Sequence, residues 1–154
     1  MAAEEGSKAP DFSLPTDTGS EISLGDYAGK ALVLYFYPRA DTSGCTKQAI
    51  AFTQMQEDFA KAGASILGVS PDKPAKLSKF RDKHVLGVAL AGDESHEMME
   101  AYGVWMEKSM YGRKYMGVER STFVIDGDGV IRKVWRKVKV AGHAEEVLEA
   151  VRAL

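Results

Sequence analysis

The chain has very little cysteine. Its 154 residues include one, Cys45, so no disulfide can form within the chain. A CxxC redox pair is excluded because Thr42 and Gln48 occupy the positions three residues away on either side. A structural zinc site built from several cysteines is excluded for the same reason. Any chemistry at Cys45 must therefore proceed without a second thiol from this chain.

The sequence also lacks an excess of charge and any long apolar segment. Its 20 Lys and Arg oppose 22 Asp and Glu, giving a net charge of −2, so nothing attracts the whole domain to nucleic acid or to an anionic membrane. No apolar run approaches the roughly 20 residues needed to cross a bilayer. The opening MAAEEGSKAP has no signal-peptide pattern. We therefore expect a cytoplasmic protein with neither a nucleic-acid nor a membrane partner.

Internal repeats, low-complexity tracts and long linkers are absent as well, which predicts a single domain over residues 1–154. What the sequence does contain is an alternation of β-prone and helical segments. The run ALVLYFYP at 31–38 is apolar throughout, as is typical of a strand buried on both faces of a parallel sheet. Two more strands, ASILGVSPD and GVALAGDE, are followed by the helical segments KPAKLSKFRDKH and SHEMMEAYG.

Hairpins and a last helix complete this pattern. The segment APDFSLPTDTGSEISL predicts an N-terminal β-hairpin, and STFVIDGDGVIRKVW predicts a second hairpin around DGDG, where we expect no metal. In GHAEEVLEAVRAL, one helical face carries Ala144, Val147, Leu148, Val151 and Leu154. The order predicts an α/β, thioredoxin-like fold with a mixed central sheet flanked by helices and an N-terminal β-hairpin.

Cys45 lies where the strand at 31–38 gives way to a helix. A helix N-terminus offers unpaired backbone N–H groups that stabilise a thiolate. A lone cysteine is more often a small buried apolar residue, but the small polar neighbours in DTSGCT favour a reactive thiol. The helix, of about five turns ending before Gly63, is predicted by apolar residues at helical spacing: Phe52, Met55, Phe59 and Ala62.

Two common kinds of thiol chemistry lack their partner residues. A Cys-x5-Arg phosphate loop would need arginine at position 51, where the chain has Ala51. A Cys–His hydrolase needs a histidine within reach, but we expect the three histidines, His84, His96 and His143, to be solvated at helix ends. Thiol redox chemistry remains.

The segment WMEKSMYGRKYM is rich in aromatic, Met and basic residues and predicts a pocket rim or part of the core.

The stretch YPRADTSGCT is similar to the active-site motif of the peroxiredoxins, Pro-x-x-x-Thr-x-x-Cys. Pro38, Thr42 and Cys45 match that motif in type and spacing. The flanking stretches APDFSL, YGRKYMGVERSTFVID and KVKVAGHAEEVL resemble the bacterioferritin-comigratory, or PrxQ, subfamily. The similarity extends from Ala9 to the last helix.

This resemblance implies a thiol peroxidase that reduces hydrogen peroxide and organic hydroperoxides without a cofactor or a metal. The Cys45 thiolate would attack a peroxide oxygen and become a sulfenic acid. Thr42, the amides of the helix start and Arg120, which stands where the family has its arginine, would stabilise the charge on the leaving oxygen. Pro38 would shield the thiolate from water.

Two positions depart from the family pattern. Ile50 stands where many PrxQ-like proteins carry a resolving cysteine, and Gln48 replaces a usual glutamate; KLSKFRDKH contains no cysteine either. The sulfenic acid would then need an external thiol, from thioredoxin, glutaredoxin or glutathione. The resemblance suggests a monomer or a weak dimer. Two alternatives stay open, a thioredoxin-like binding or chaperone module with an idle thiol and a monothiol glutathione-dependent transferase.

Overall fold

The computed structural model describes residues 3–154. Its nine strands are β1 (Ser13–Pro15), β2 (Glu21–Ser23), β3 (Ala31–Phe36), β4 (Ala64–Ser70), β5 (Ala89–Gly92), β6 (Trp105–Met110), β7 (Arg113–Val118), β8 (Ser121–Ile125) and β9 (Ile131–Trp135). Its α-helices are α1 (Ser43–Gln54), α2 (Gln56–Lys61), α3 (Pro74–His84), α4 (Glu97–Ala101) and α5 (His143–Arg152). A 3-10 turn spans Leu24–Tyr27.

Five strands form the central sheet, in the order β5-β4-β3-β8-β9. β3 and β4 pair in parallel, as do β4 and β5, whereas β8 runs antiparallel to both β3 and β9. The sheet is therefore mixed, as predicted. β1 and β2 form the predicted N-terminal hairpin.

The central strand β3 is covered on both faces, which explains its uninterrupted apolar sequence. Val33 and Tyr35 point into the core layer that contains the buried side chains of α1, α3 and α5. Leu32, Leu34 and Phe36 point into the opposite layer, built from α4 and the N-terminal hairpin. β3 is therefore a rigid strand that is fully packed on both faces, and α1 follows directly after it.

Two helical predictions need correction. The predicted five-turn helix is broken at Met55 (φ −100°, ψ 5°), so that α1 ends and α2 begins on either side of it. On α5, the four predicted core residues from Ala144 to Val151 are buried, but Leu154 is 57% exposed. Leu154 lies past the end of α5, so its helical phase no longer applies. None of the helices within residues 3–154 has both the length and the apolar composition that a bilayer crossing requires.

The WMEKSMYGRKYM segment folds into a separate hairpin of β6 and β7. Only its base is buried, at Val118, while most of its outer half is exposed. The interpretation as partial core is wrong for that outer half, because no layer of the fold covers it.

Candidate active site

Cys45 is the third residue of α1, as expected for the first turn of a helix. It is only 1% exposed and lies in the same core layer as Tyr37, Ala40 and Ala49. Because α1 starts shortly after β3 ends, the thiol is placed at the carboxyl end of the central strand. Open α/β sheets bind their ligands at that edge.

Arg120 directly precedes β8, the strand that pairs with β3, and contacts the thiol from there. Its Nη2 donates a hydrogen bond to Cys45 Sγ at 3.1 Å, and its Nη1 donates to Gln48 Oε1 at 2.5 Å. The register of β8 makes this contact possible, since Ser121 lies opposite Phe36 at the end of β3. The guanidinium therefore places a positive charge and an N–H donor within hydrogen-bond distance of the sulfur.

Gly44 leaves room for that guanidinium. A Cβ placed on Gly44 would lie 3.4 Å from Arg120 Nη2. That spacing is at the close end of van der Waals contact, so any residue larger than glycine would touch the guanidinium. The small residue before Cys45 is thus part of the site's shape.

Three buried polar atoms beside Cys45 donate to no acceptor among the described residues: the hydroxyls of Tyr35 and Tyr37 and the Nε2 of Gln48. Burial raises the pKa of Tyr35 well above its ordinary value, and the nearby Cys45 charge adds to this effect. Burial likewise raises the pKa of Tyr37. Both phenols are therefore neutral. Their place beside Cys45 was not predicted from the sequence, although a tyrosine inside the otherwise apolar run at 31–38 was a usable signal.

Thr42 and Pro38 stand at the edge of the site. Thr42 is the N-cap of α1, but its exposed side chain makes no capping bond; the hydroxyl donates to the Arg39 carbonyl at 2.9 Å. Pro38 is half-buried two residues after β3. The structure thus brings Cys45 and Arg120 into contact, whereas the roles of Thr42 and Pro38 stay predictions.

The loop before α1 is held by two carboxylates. The Ala40 amide donates to Asp72 Oδ2 at 2.7 Å. Asp41, in the left-handed region at φ 62°, lies 2.9 Å from both Lys83 Nζ and His84 Nε2 at the end of α3. The hydrogen bonds from His84 and Lys83 hold the pKa of Asp41 below its ordinary value. α3 thereby fixes the approach of the chain to the cysteine helix.

The expectation of solvated histidines is wrong for His143. This residue is 5% exposed, and its Nε2 lies 2.8 Å from Thr122 Oγ1. Burial lowers its pKa, because α5 packs its first turn against the sheet. His84 does close α3, and His96 stacks on Trp105 with ring centroids 3.8 Å apart. Within residues 3–154, no hydrogen bond joins Cys45 to a histidine, and no group of three or more metal-ligating side chains occurs.

These observations define a class of protein. A thioredoxin-like α/β fold presents a buried cysteine at a helix N-terminus, with an arginine donating to its sulfur. That arrangement is typical of thiol-dependent redox enzymes.

Comparisons with known proteins give the family. Residues 6–134 match the AhpC/TSA family. Peroxiredoxin Bcp of Bacillus subtilis is 48% identical over 152 residues, which are 99% of this chain and 97% of that protein. Peroxiredoxin Bcp of Escherichia coli K12 is 44% identical over 143 residues, 93% of this chain and 92% of that protein. The chain therefore belongs to the AhpC/TSA family, among the peroxiredoxins of the Bcp or PrxQ type.

Solved structures agree with this assignment. A cysteine-to-serine variant of Xylella fastidiosa PrxQ superposes with a TM-score of 0.94 at 34% identity, covering 99% of this chain and 98% of that one. A structure of the Xanthomonas campestris bacterioferritin comigratory protein, described for its alkyl peroxide reduction activity, gives a TM-score of 0.88 at 41% identity, with 92% and 90% covered. The thioredoxin-like fold and the PrxQ resemblance predicted from the sequence are confirmed, and the idle-thiol alternative is not favoured.

Proposed function

We propose that the chain reduces hydrogen peroxide and organic hydroperoxides through Cys45 alone. The thiolate attacks the terminal peroxide oxygen, the O–O bond breaks, and the leaving oxygen takes a proton to become water or an alcohol. Cys45 is left as a sulfenic acid. The observation that carries this proposal is the 3.1 Å hydrogen bond from Arg120 Nη2 to Cys45 Sγ.

Arg120 acts twice in this mechanism. Before the reaction it stabilises the thiolate, and as the O–O bond lengthens it lies beside the oxygens on which charge develops. Gln48 accepts the second bond of the guanidinium and so fixes its plane. Because Gln48 is neutral, the positive charge of Arg120 stays available to the sulfur and the peroxide.

Thr42 and Pro38 complete the proposed site. The Thr42 hydroxyl, at the start of α1, can turn from the Arg39 carbonyl to a bound peroxide by rotation about one bond. Half-buried Pro38 carries no N–H group and shields the site from water. Thr42→Val removes the hydroxyl at nearly constant volume, so we expect slower oxidation of Cys45 with little loss of fold stability.

The second half of the cycle needs a thiol from outside. With one cysteine in the chain, the sulfenic acid condenses with an external thiol, releasing water and forming a mixed disulfide. A second thiol then restores Cys45. We place this reaction in the cytoplasm, where reduced thiols are abundant, in a chain that acts as a monomer or a weak dimer. Thioredoxin, glutaredoxin and glutathione are the candidate reductants.

The test is a single turnover without reductant. Stoichiometric hydrogen peroxide or cumene hydroperoxide is mixed with the reduced protein, Trp fluorescence is followed, and the mass of one added oxygen is sought. We expect oxidation orders of magnitude faster than that of a free thiol. Cys45→Ser is the control and should show neither signal. Oxidation no faster than that of free cysteine, with both peroxides, would refute the proposal.

A further inference from the structure

The hairpin of β6 and β7 projects from the edge of the sheet where the reactive cysteine lies. β8 begins at Ser121, opposite the end of β3, and Arg120 lies between β7 and β8. The hairpin pairs with no strand of the central sheet. Its base is therefore within two residues of the arginine that binds Cys45 Sγ.

This hairpin carries most of the large apolar surface that the described part of the chain exposes. Of the six large exposed hydrophobic side chains, four lie on it, Met110 (56%), Tyr111 (98%), Tyr115 (43%) and Met116 (50%). A two-stranded hairpin is marginally stable by itself. Exposed apolar side chains gathered on such an element indicate an interaction surface, and Tyr and Met are among the residues enriched in protein interfaces.

The turn at the tip of the hairpin is a second, independent indication that the hairpin is an interaction surface. Tyr111 and Gly112 connect the strands with φ of 52° and 76°. A two-residue turn with both φ values positive favours Asn, Asp or Gly at its first position. Tyrosine there is disfavoured by its bulk, yet its side chain is 98% exposed and buries almost no surface against the fold. A strained residue without a structural role indicates a functional one.

The strand register sorts the hairpin into two faces. Lys108 pairs with Tyr115 and Met110 with Arg113, so these four side chains share one face with Met106. Met116 and Glu107 pair on the opposite face, where the Glu107 carboxylate lies 3.6 Å from Lys114 Nζ. The first face is thus apolar and basic with no acidic side chain, and it complements an acidic partner that also presents apolar surface.

We propose that this face, together with Tyr111 at its tip, docks a protein dithiol reductant whose surface around the reactive thiols is acidic and apolar. The inference rests on the proposed peroxidase function. One partner thiol attacks the Cys45 sulfenic acid, releasing water and forming a mixed disulfide. The second partner thiol attacks its neighbour's sulfur, which leaves a disulfide in the partner and restores the Cys45 thiol.

The test compares two protein reductants with one small-molecule reductant on the oxidised wild type and on a hairpin variant. Wild type and Tyr111→Asn are oxidised with one equivalent of peroxide, and reduction of the sulfenic acid is timed with bacterial thioredoxin, with bacterial glutaredoxin and with dithiothreitol. Asparagine suits the turn, so the variant should melt at or above the wild-type temperature. Leu154→Asn is the matched control, because it removes another exposed apolar side chain (57% exposed) away from the hairpin.

We expect Tyr111→Asn to lower the second-order rate constant with thioredoxin or glutaredoxin by about 5- to 30-fold. Its rate with dithiothreitol, and the rates of Leu154→Asn with every reductant, should stay within about twofold of wild type. Met110→Ser, on the same face, should repeat the selective loss. Equal rates for Tyr111→Asn and wild type, equal losses with all reductants, or no advantage of either protein over dithiothreitol would overturn the docking proposal. Failure of the peroxide step itself would appear earlier, before any reductant is added.

Discussion

Replacing Arg120 by methionine tests the site most directly. Methionine approximates the length of the arginine stem but removes both the charge and the hydrogen bond to Cys45 Sγ, which is 3.1 Å long. A hydrogen bond to a charged group contributes about 1.5–3 kcal/mol. Since about 1.4 kcal/mol corresponds to a factor of ten, its loss from the transition state predicts a rate constant about 10- to 160-fold lower.

The assay is stopped-flow Trp fluorescence with stoichiometric peroxide at neutral pH. Arg120→Lys is the informative companion, because it keeps the charge but cannot contact both Cys45 Sγ and Gln48 Oε1 in the way the arginine fork does. We expect its rate constant to lie between those of wild type and Arg120→Met. A change of less than twofold in Arg120→Met, in a protein with an unchanged melting temperature, would show that the contact with Arg120 does not activate the thiol.

Three further predictions concern the surroundings of this pair. Gln48→Leu removes the acceptor of Arg120 Nη1 and an unpartnered buried amide, so peroxide reduction should slow about 2- to 13-fold while stability is maintained; equal rates would exclude a positioning role. Gly44→Ala should raise the unfolding free energy by up to about 1 kcal/mol through helix propensity yet slow the reaction, because the new Cβ lies 3.4 Å from Arg120 Nη2; kinetics and thermal melts on one sample decide this. Burial lowers the pKa of His143 below its ordinary 6.5, so the unfolded chain binds a proton more readily and stability should fall as the pH drops through 6.5. The melting temperature of His143→Gln should therefore fall less than that of wild type as the pH drops. Parallel pH profiles of melting temperature for the two proteins would show that His143 does not cause the decline.

Much of the fold could be predicted from the hydrophobic periodicity and the turn residues of the sequence. The apolar run of β3 indicated burial on both faces, and the two core layers on either side of it account for that pattern. The end of the strand near Pro38 and the helical periodicity established by Ala49 predicted Cys45 in or near the first turn of the helix, and it lies in the first turn of α1. These predictions succeeded because each depends on neighbours close in the sequence.

The contacts that make the site depend on residues far apart in the chain. Arg120 lies 75 positions from Cys45, and only the antiparallel register of β8 on β3 brings it to the sulfur. Arg120 was predicted as a site residue only because it matches the position of an arginine in a similar family. No local pattern in the sequence indicated it. His143 was misjudged for the same reason, since a helix terminus is solvated only when no sheet lies beneath it, and α5 begins against Thr122.

The two interpretations of a lone cysteine, a buried apolar residue or a reactive thiol, are both true of Cys45. It is 1% exposed within the main core layer, as the first interpretation requires. The half-buried guanidinium of Arg120 nevertheless faces it, and the side-chain hydrogen bonds of Arg120 within residues 3–154 go to Cys45 and Gln48, not to a carboxylate. Its other acceptor, Gln48, is neutral. No carboxylate competes for the positive charge of Arg120 at this contact, so that charge is available to the negative charge that develops when the thiol reacts with a peroxide. The packed layer that buries Cys45 therefore also holds the donor that its chemistry requires, and burial and reactivity are properties of one arrangement.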